Sequence, residues 1–338
     1  FRSYFGSYEG LRDRLGVSAI TNVPTARVKA QGCMPPQGDP RLSEQCVGVA
    51  PGVRPWLDIF PNPNGADNRD GTGEFSFVAA QPTNQNYFTG RVDHSISANH
   101  SIFGRYTIDR SERLVPGEIS FDRGPQNNWN QYLTVEYSSI FTSTTLNALR
   151  FGMNRSHALE TNVTDLPSSQ TFIPGQTFNE GGELNIAGIA GIGNYLNPRG
   201  INYSLFEWSD DLTLVRGSHT VKTGLIYKKI LDLQEAATAR GGRYDLNGGL
   251  WSAIRGQATT FTFEWPGRRG DRDWRQNLFG AYLQDDFKWK PNFTLNLGLR
   301  LEFMTSPNEV QGRCSNLTDV MQTEPKVGCP FFETFKNN

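Results

Sequence analysis

Along TLNLGLRLEF, residues 294–303, apolar Leu295, Leu297, Leu299, Leu301 and Phe303 alternate with Thr294, Asn296, Gly298, Arg300 and Glu302. Successive side chains of a strand point to opposite faces, so this pattern predicts a strand with one apolar and one polar face. Residues 131–139, QYLTVEYSS, repeat it: Leu133, Val135 and Tyr137 alternate with Thr134, Glu136 and Ser138. In residues 146–154, LNALRFGMN, Leu149, Phe151 and Met153 alternate with Arg150, Gly152 and Asn154.

The predicted strands come in pairs. Tyr4 to Arg12 is one candidate, followed by a Pro/Gly/Asn-rich stretch through Asn86. YFTGRVDHSIS then pairs with SIFGRYTIDRSE, QYLTVEYSSIF with TLNALRFGMNRS, YSLFEWSDDLTLV with TVKTGLIYKKILDL, and NLFGAYLQDDFKW with TLNLGLRLEF. Within each pair the turn is short, as in ordinary hairpins, whereas the joins between pairs read as long polar loops. An outer-membrane barrel has this asymmetry, with short periplasmic turns at one end and long extracellular loops at the other. A soluble sandwich has no reason to keep every second connection long, and a propeller would repeat at a fixed period.

In a sandwich the apolar face packs on a second sheet; in a membrane barrel it meets lipid and the polar face lines a wet interior. Arg and Glu in mid-strand suit a hydrated lumen, and a sandwich would place them outside equally well. Phe141, Phe287, Trp289 and Phe293 near the short turns suit an interfacial girdle, as they would the strand ends of a soluble protein. Asp285 interrupts the apolar face of NLFGAYLQDDFKW, which requires either a bulge or a position at the membrane edge.

Composition narrows the field. Hydrophobic residues make up 37% of the 338, and no apolar run approaches the length of a spanning helix. Barrels escape such a test, because only alternate residues face lipid. With 33 basic against 34 acidic residues the net charge is -1, so nucleic acid is not an expected partner. The four cysteines form two local pairs, Cys33 with Cys46 and Cys314 with Cys329, each in a polar Gly/Pro-bearing segment. Loop-closing disulfides in an oxidising compartment are expected, free thiols being the alternative. The opening residues already read as a strand with no charged and apolar leader before them, so a fragment is expected.

Candidate chemistry is sparse. The glycine-rich GIAGIGNY, residues 188–195, lacks the strand and helix setting of a phosphate cradle and reads as an external loop. The four histidines, His94, His100, His157 and His219, are scattered. Asp93 with His94, and Asp285 with Asp286, are neighbours on a strand and point to opposite faces, so neither pair converges on one substrate. No enzymatic activity, metal or cofactor is expected. WPGRRGDRDW, residues 265–274, mixes basic and aromatic residues. Arg268, Arg269 and Arg272 there could grip an anionic or glycan ligand, or could be solvated arginines paired with Asp271 and Asp273.

FGAYLQDDFKWKPNFTLNLGLRLEF resembles a strand-turn-strand of TonB-dependent-receptor-like outer-membrane proteins, specifically the Oar-like branch, whose members often carry a carboxypeptidase-regulatory-like domain. YFGSYEGLRDR with VPTARV, FPNPN followed by NYFTGRVDHSISANHSIFGRYTIDRSE, and GSHTVKTGLIYKK resemble further segments of that family in family order. Phe287 stands where the family often has Trp, and Leu301 where it often has Tyr.

The resemblance implies a barrel of about 22 strands occluded by a plug. The expectation is therefore an all-β fold: an antiparallel up-and-down transmembrane β-barrel, incomplete, with about nine strands of the larger barrel and long extracellular loops. Residues 1–338 would form one partial barrel domain without plug or signal peptide, in a bacterial outer membrane. Leu133, Val135, Leu149, Phe151, Leu295, Leu297, Leu299 and Leu301 would face lipid, and Glu136, Arg150, Asn296, Arg300 and Glu302 the lumen. The function implied is TonB-coupled uptake of a ligand, with the TonB complex engaged through a plug; a structural or adhesive surface barrel binding glycan is the alternative.

Overall fold

The computed structural model describes residues 2–167, 169–265, 268, 270–317, 321 and 323–328. Nine long strands among them form one antiparallel sheet in which every strand pairs with its sequence neighbours. They are β1 (Arg2–Pro24), β2 (Thr72–Ser95), β3 (His100–Pro116), β4 (Asp122–Thr142), β5 (Thr145–Glu160), β6 (Arg199–Arg216), β7 (His219–Ala236), β8 (Arg272–Lys290) and β9 (Phe293–Met304). No described helix is long and apolar enough to cross a membrane.

The turns at residues 96–99, 143–144, 217–218 and 291–292 lie at one end of this wall. At the other end lie the joins 25–71, 117–121, 161–198 and 237–271. Sequence reading makes several strands too short. β1 runs to Pro24 and β2 begins at Thr72, and these two strands hold 23 and 24 residues, against about 9–11 needed to cross a bilayer. The join between β3 and β4 is correspondingly short, not the long polar loop expected.

In β2 and β4 a proline marks the misread stretch, because a proline ordinarily argues against a central strand. Pro82 pairs with Arg14 of β1, but the β2–β3 ladder starts only at Thr83. Pro125 pairs with Leu114, and the β4–β5 ladder starts at Gln126. Each proline sits just beyond the ladder on its second side, where its missing N–H is not required.

The long joins fold together into a cap. It contains the short helices α1 (Ala26–Gln31), α2 (Arg54–Leu57) and α3 (Gly249–Ile254). A small sheet runs in the order Ile192–Gly193, Glu183–Ile186, Arg243–Leu246, Thr260–Thr262. The Thr25 side chain caps α1 by accepting from the Val28 N–H at 3.3 Å, and Gly32 ends it with φ 63°. A Cβ at Gly32 would also stand 2.2 Å from the Gly48 carbonyl oxygen, so only glycine serves there.

Val28, Leu57, Phe60, Ile186, Ile192 and Ile254, all 2% exposed or less, form the cap's core. GIAGIGNY lies in the cap join 161–198 and is anchored there, with Ala190 and Ile192 buried in that core. Opposite positions of a short hairpin hold Cys33 and Cys46, which are joined as a disulfide. Cys314 is also oxidised; Cys329, its expected partner, lies outside the described residues.

Candidate functional site

Register places side chains from many strands on common faces of the wall. Asp93, Phe103, Glu136, Arg150 and Ser209 stand opposite one another in succession across β2 to β6. Asp211, Gly224, Tyr282 and Arg300 continue the band on the same face across β6 to β9. Arg150 is its hub. Its Nε donates to Glu136 Oε2 and its Nη1 to Asp211 Oδ2, both at 2.5 Å. The Tyr282 hydroxyl donates to the other Asp211 oxygen at 2.7 Å.

Gly224 makes that last contact possible, since a Cβ there would lie 2.4 Å from the Tyr282 ring and 2.5 Å from Asp211 Oδ1. Around this hub Arg91 pairs with Asp93 at 2.6 Å and lies 4.0 Å from the Phe103 ring centre. Lys228 pairs with Glu207 at 2.8 Å, Lys222 with Asp286 at 3.2 Å, and Arg300 with Glu302. The groups are half-exposed, as side chains lining a hydrated surface are, and each of these cations has a carboxylate partner, Arg150 two of them.

The opposite face is apolar over the middle of the wall. Leu133, Val135, Leu149 and Phe151 lie there, and Phe151, Trp208, Tyr227 and Phe279 form a row of rings across β5 to β8 at centroid separations of 5.4, 5.5 and 4.9 Å. Leu297, Leu299 and Leu301 continue the face onto β9 and are 61%, 76% and 70% exposed. Such a surface in water would be an aggregation patch. Asn296, Arg300 and Glu302 lie on the polar side of the same strand.

Towards the short turns the apolar face acquires polar pairs. Asp285 pairs in regular register with Val221 and Leu297, and the ladder's irregularity lies between Lys288 and Lys290. No bulge displaces Asp285; it stays on the apolar face and meets His219 Nδ1 at 2.6 Å. His219 in turn stacks on Phe287, 4.3 Å between ring centres. Nearby, Asn147 donates to Asp210 at 2.6 Å and Tyr137 shares a hydrogen bond with His100 at 2.8 Å. The strand rule for neighbours holds: Asp286 lies on the polar face with Lys222 while its neighbour faces the other way.

Sequence reading found Glu136 and Arg150 but missed Asp211 and Tyr282. Asp211 was legible from the alternation in YSLFEWSDDLTLV, whereas the Tyr282 contact reaches across the intervening strand β7 and depends on Gly224 there. The candidate arginine loop is described only in part. Arg268 is exposed, Arg272 is the first residue of β8, and Arg269 lies outside the described residues. Asp271 pairs with Arg313 and Asp273 with Arg275.

In the cap, Glu183 accepts from the Tyr195 N–H at 2.9 Å and lies 3.6 Å from Arg243, which holds Asp245 at 2.7 Å. Burial pushes the Glu183 carboxyl above its ordinary range, and the hydrogen bond from Arg243 holds Asp245 below its own.

Similar solved structures include the outer membrane transporter YddB from Escherichia coli, with 13% identity over 73% of this chain and 31% of that one, and a TM-score of 0.44. Another is the closed form of the ferric-catecholate import receptor Fiu from E. coli K12, at 13% identity over 84% and 43% of the respective chains, with a TM-score of 0.30. The chain thus spans less than half the length of either. No curated protein matches its sequence. The profile of the outer membrane beta barrel domain matches residues 4–334, nearly the whole chain; the chain belongs to that family, and its place is the outer membrane.

Proposed function

We propose that this chain forms wall and extracellular cap of an energy-coupled outer-membrane transporter of the TonB-dependent, Oar-like kind. The observation that carries the reading is the two-sided wall beneath a folded cap. The Glu136–Arg150–Asp211–Tyr282 band gives one side an ion-paired, wettable surface, and the leucine and aromatic rows give the other a surface suited to lipid. Leu133, Val135, Leu149, Phe151, Leu295, Leu297, Leu299 and Leu301 then face lipid, and Glu136, Arg150, Asn296, Arg300 and Glu302 face the lumen. Coupling to TonB rests on the sequence resemblance, and the protein's role is passage of a ligand rather than catalysis.

The test is binding of the purified full-length protein to the periplasmic domain of TonB. Saturable binding is the expected result. Its absence, with the protein folded in lipid, would favour the adhesive reading, in which the cap holds glycan and nothing is transported.

A further inference from the structure

The cap contains a cavity of about 380 Å³. Leu57, Leu184, Ile186, Leu246 and Ala253, each no more than 6% exposed, form its aliphatic floor. Trp56, Phe172 and Tyr244 form its walls, with Trp56 stacked on Phe172 at 4.0 Å and Phe172 edge-on to Tyr244 at 4.8 Å. The rim includes exposed Gly52, Gly256 and Ala258, which carry too little side chain to close it.

The aromatic wall continues outward. Tyr244 stacks on Phe261 at 4.3 Å, Phe261 on Phe263 at 5.6 Å, and Phe263 meets Trp265 at 5.3 Å. Exposure rises along this track from 38% at Phe261 to 41% at Phe263 and 72% at Trp265. Rings left uncovered on a polar surface, leading to an open cavity with aromatic walls, offer a flat apolar guest successive stacking partners. The cavity's volume falls in the range of small-molecule sites, and no charged side chain lines it.

We propose that the cap binds a small planar aromatic compound of about two fused rings, captured along Trp265, Phe263 and Phe261 and held in the cavity against the wall of Trp56, Phe172 and Tyr244. This rests on the transport reading for its purpose, but the binding itself does not require transport. A saccharide fits less well, because the floor is aliphatic and the lining side chains able to hydrogen-bond its many hydroxyl groups are Thr171, Trp56 and Tyr244.

The experiment is calorimetric titration of 2-naphthol into the full-length protein in lipid nanodiscs, with empty discs subtracted and the saturated 2-decalol as the non-planar comparison. Saturable 1:1 binding is expected, with 2-naphthol favoured by about tenfold, the factor that roughly 1.4 kcal/mol of ring stacking supplies. Gly52→Leu should abolish it: a Cβ at Gly52 meets no atom within 4 Å, so the new side chain fills the mouth without displacing the core. Trp265→Ser should slow association while leaving the bound state nearly as stable. Should Gly52→Leu fail to fold, Ala258→Leu blocks the same rim.

No saturable binding, equal affinity for the two alcohols, or unchanged binding with the mouth blocked would each overturn the proposal. Loss of TonB binding with naphthol binding intact would instead overturn the transport reading alone.

Discussion

Leu57 and Leu297 are the same residue type with opposite exposure. Leu57, in the cap, is 0% exposed, and Leu297, on the wall, is 61% exposed. The cap is built as a water-soluble domain is, with apolar side chains converging on one another and polar ones turned outward. The wall holds its strands by hydrogen-bond ladders and leaves its leucines facing outward, which is stable where the surroundings are lipid. Its first and last strands are the most exposed of the nine, since each has a ladder on one side only among the described residues. One chain thus follows opposite burial rules within a few turns of the backbone.

Truncation in the cap should break this comparison most visibly. Phe60→Ala removes a ring that is 1% exposed and should cost about 3–5 kcal/mol of cap stability. Limited proteolysis of the protein in lipid should then release cap fragments while the wall strands stay protected. If Phe60→Ala and Leu297→Ala opened the cap equally, the two regions would not be separate in energy.

Charge insertion sharpens the contrast on the wall. Leu299→Arg, opposite Leu283 in the apolar part of the face, should cost about 2–4 kcal/mol, whereas Asn296→Arg on the polar face of the same strand should be nearly neutral. Unfolding from lipid measures both. Equal costs would remove the assignment of faces.

Legibility in the sequence followed the same division. The wall was readable because its side chains repeat every two residues and its turns are short, so strand number, pairing order and the residues that share a face all follow from local pattern. Leu295 to Phe303 needed no knowledge of distant residues. The cap was not readable, since its core comes from segments far apart: Val28, Phe60, Ile119, Ile192 and Ile254 meet only after four joins fold together. Ile192, inside a glycine-rich run, carries no periodic signal at all. Within the wall, the misread places were Pro82 and Pro125, where the consequence of a missing N–H depends on which neighbour has already ended.

On the polar face the effect should be smaller. Arg150→Met leaves Glu136 and Asp211 without their shared cation, but all three are partly exposed, the Arg150 side chain at 42%. Screening by water holds the expected cost to about 1 kcal/mol or less. Combining it with Glu136→Gln should cost less than the sum of the two single changes, which a double-mutant cycle in lipid unfolding would show. Additive costs would mean that the ion pairs do not act together.

The smallest effect tests the cap's electrostatics through pH. Asp245 has a folded-state pKa below its ordinary value, so its contribution is present above that value and is lost as pH falls through the folded pKa. Glu183 runs the other way. Its pKa is raised, chiefly by burial, so its stabilising effect is complete below the ordinary value of 4.5 and is lost as pH rises through the folded pKa. Glu183→Gln keeps an oxygen to accept from the Tyr195 N–H and removes the buried charge. The variant should match the parent in acid and exceed it slightly at neutral pH, in urea unfolding of the cap followed by tryptophan fluorescence. A variant less stable at neutral pH than in acid, relative to the parent, would mean that attraction to Arg243 outweighs the cost of burying the carboxylate. The cap would then hold this charge by pairing, as the wall's polar face does, and the two regions would share one electrostatic rule despite their opposite rules for apolar burial.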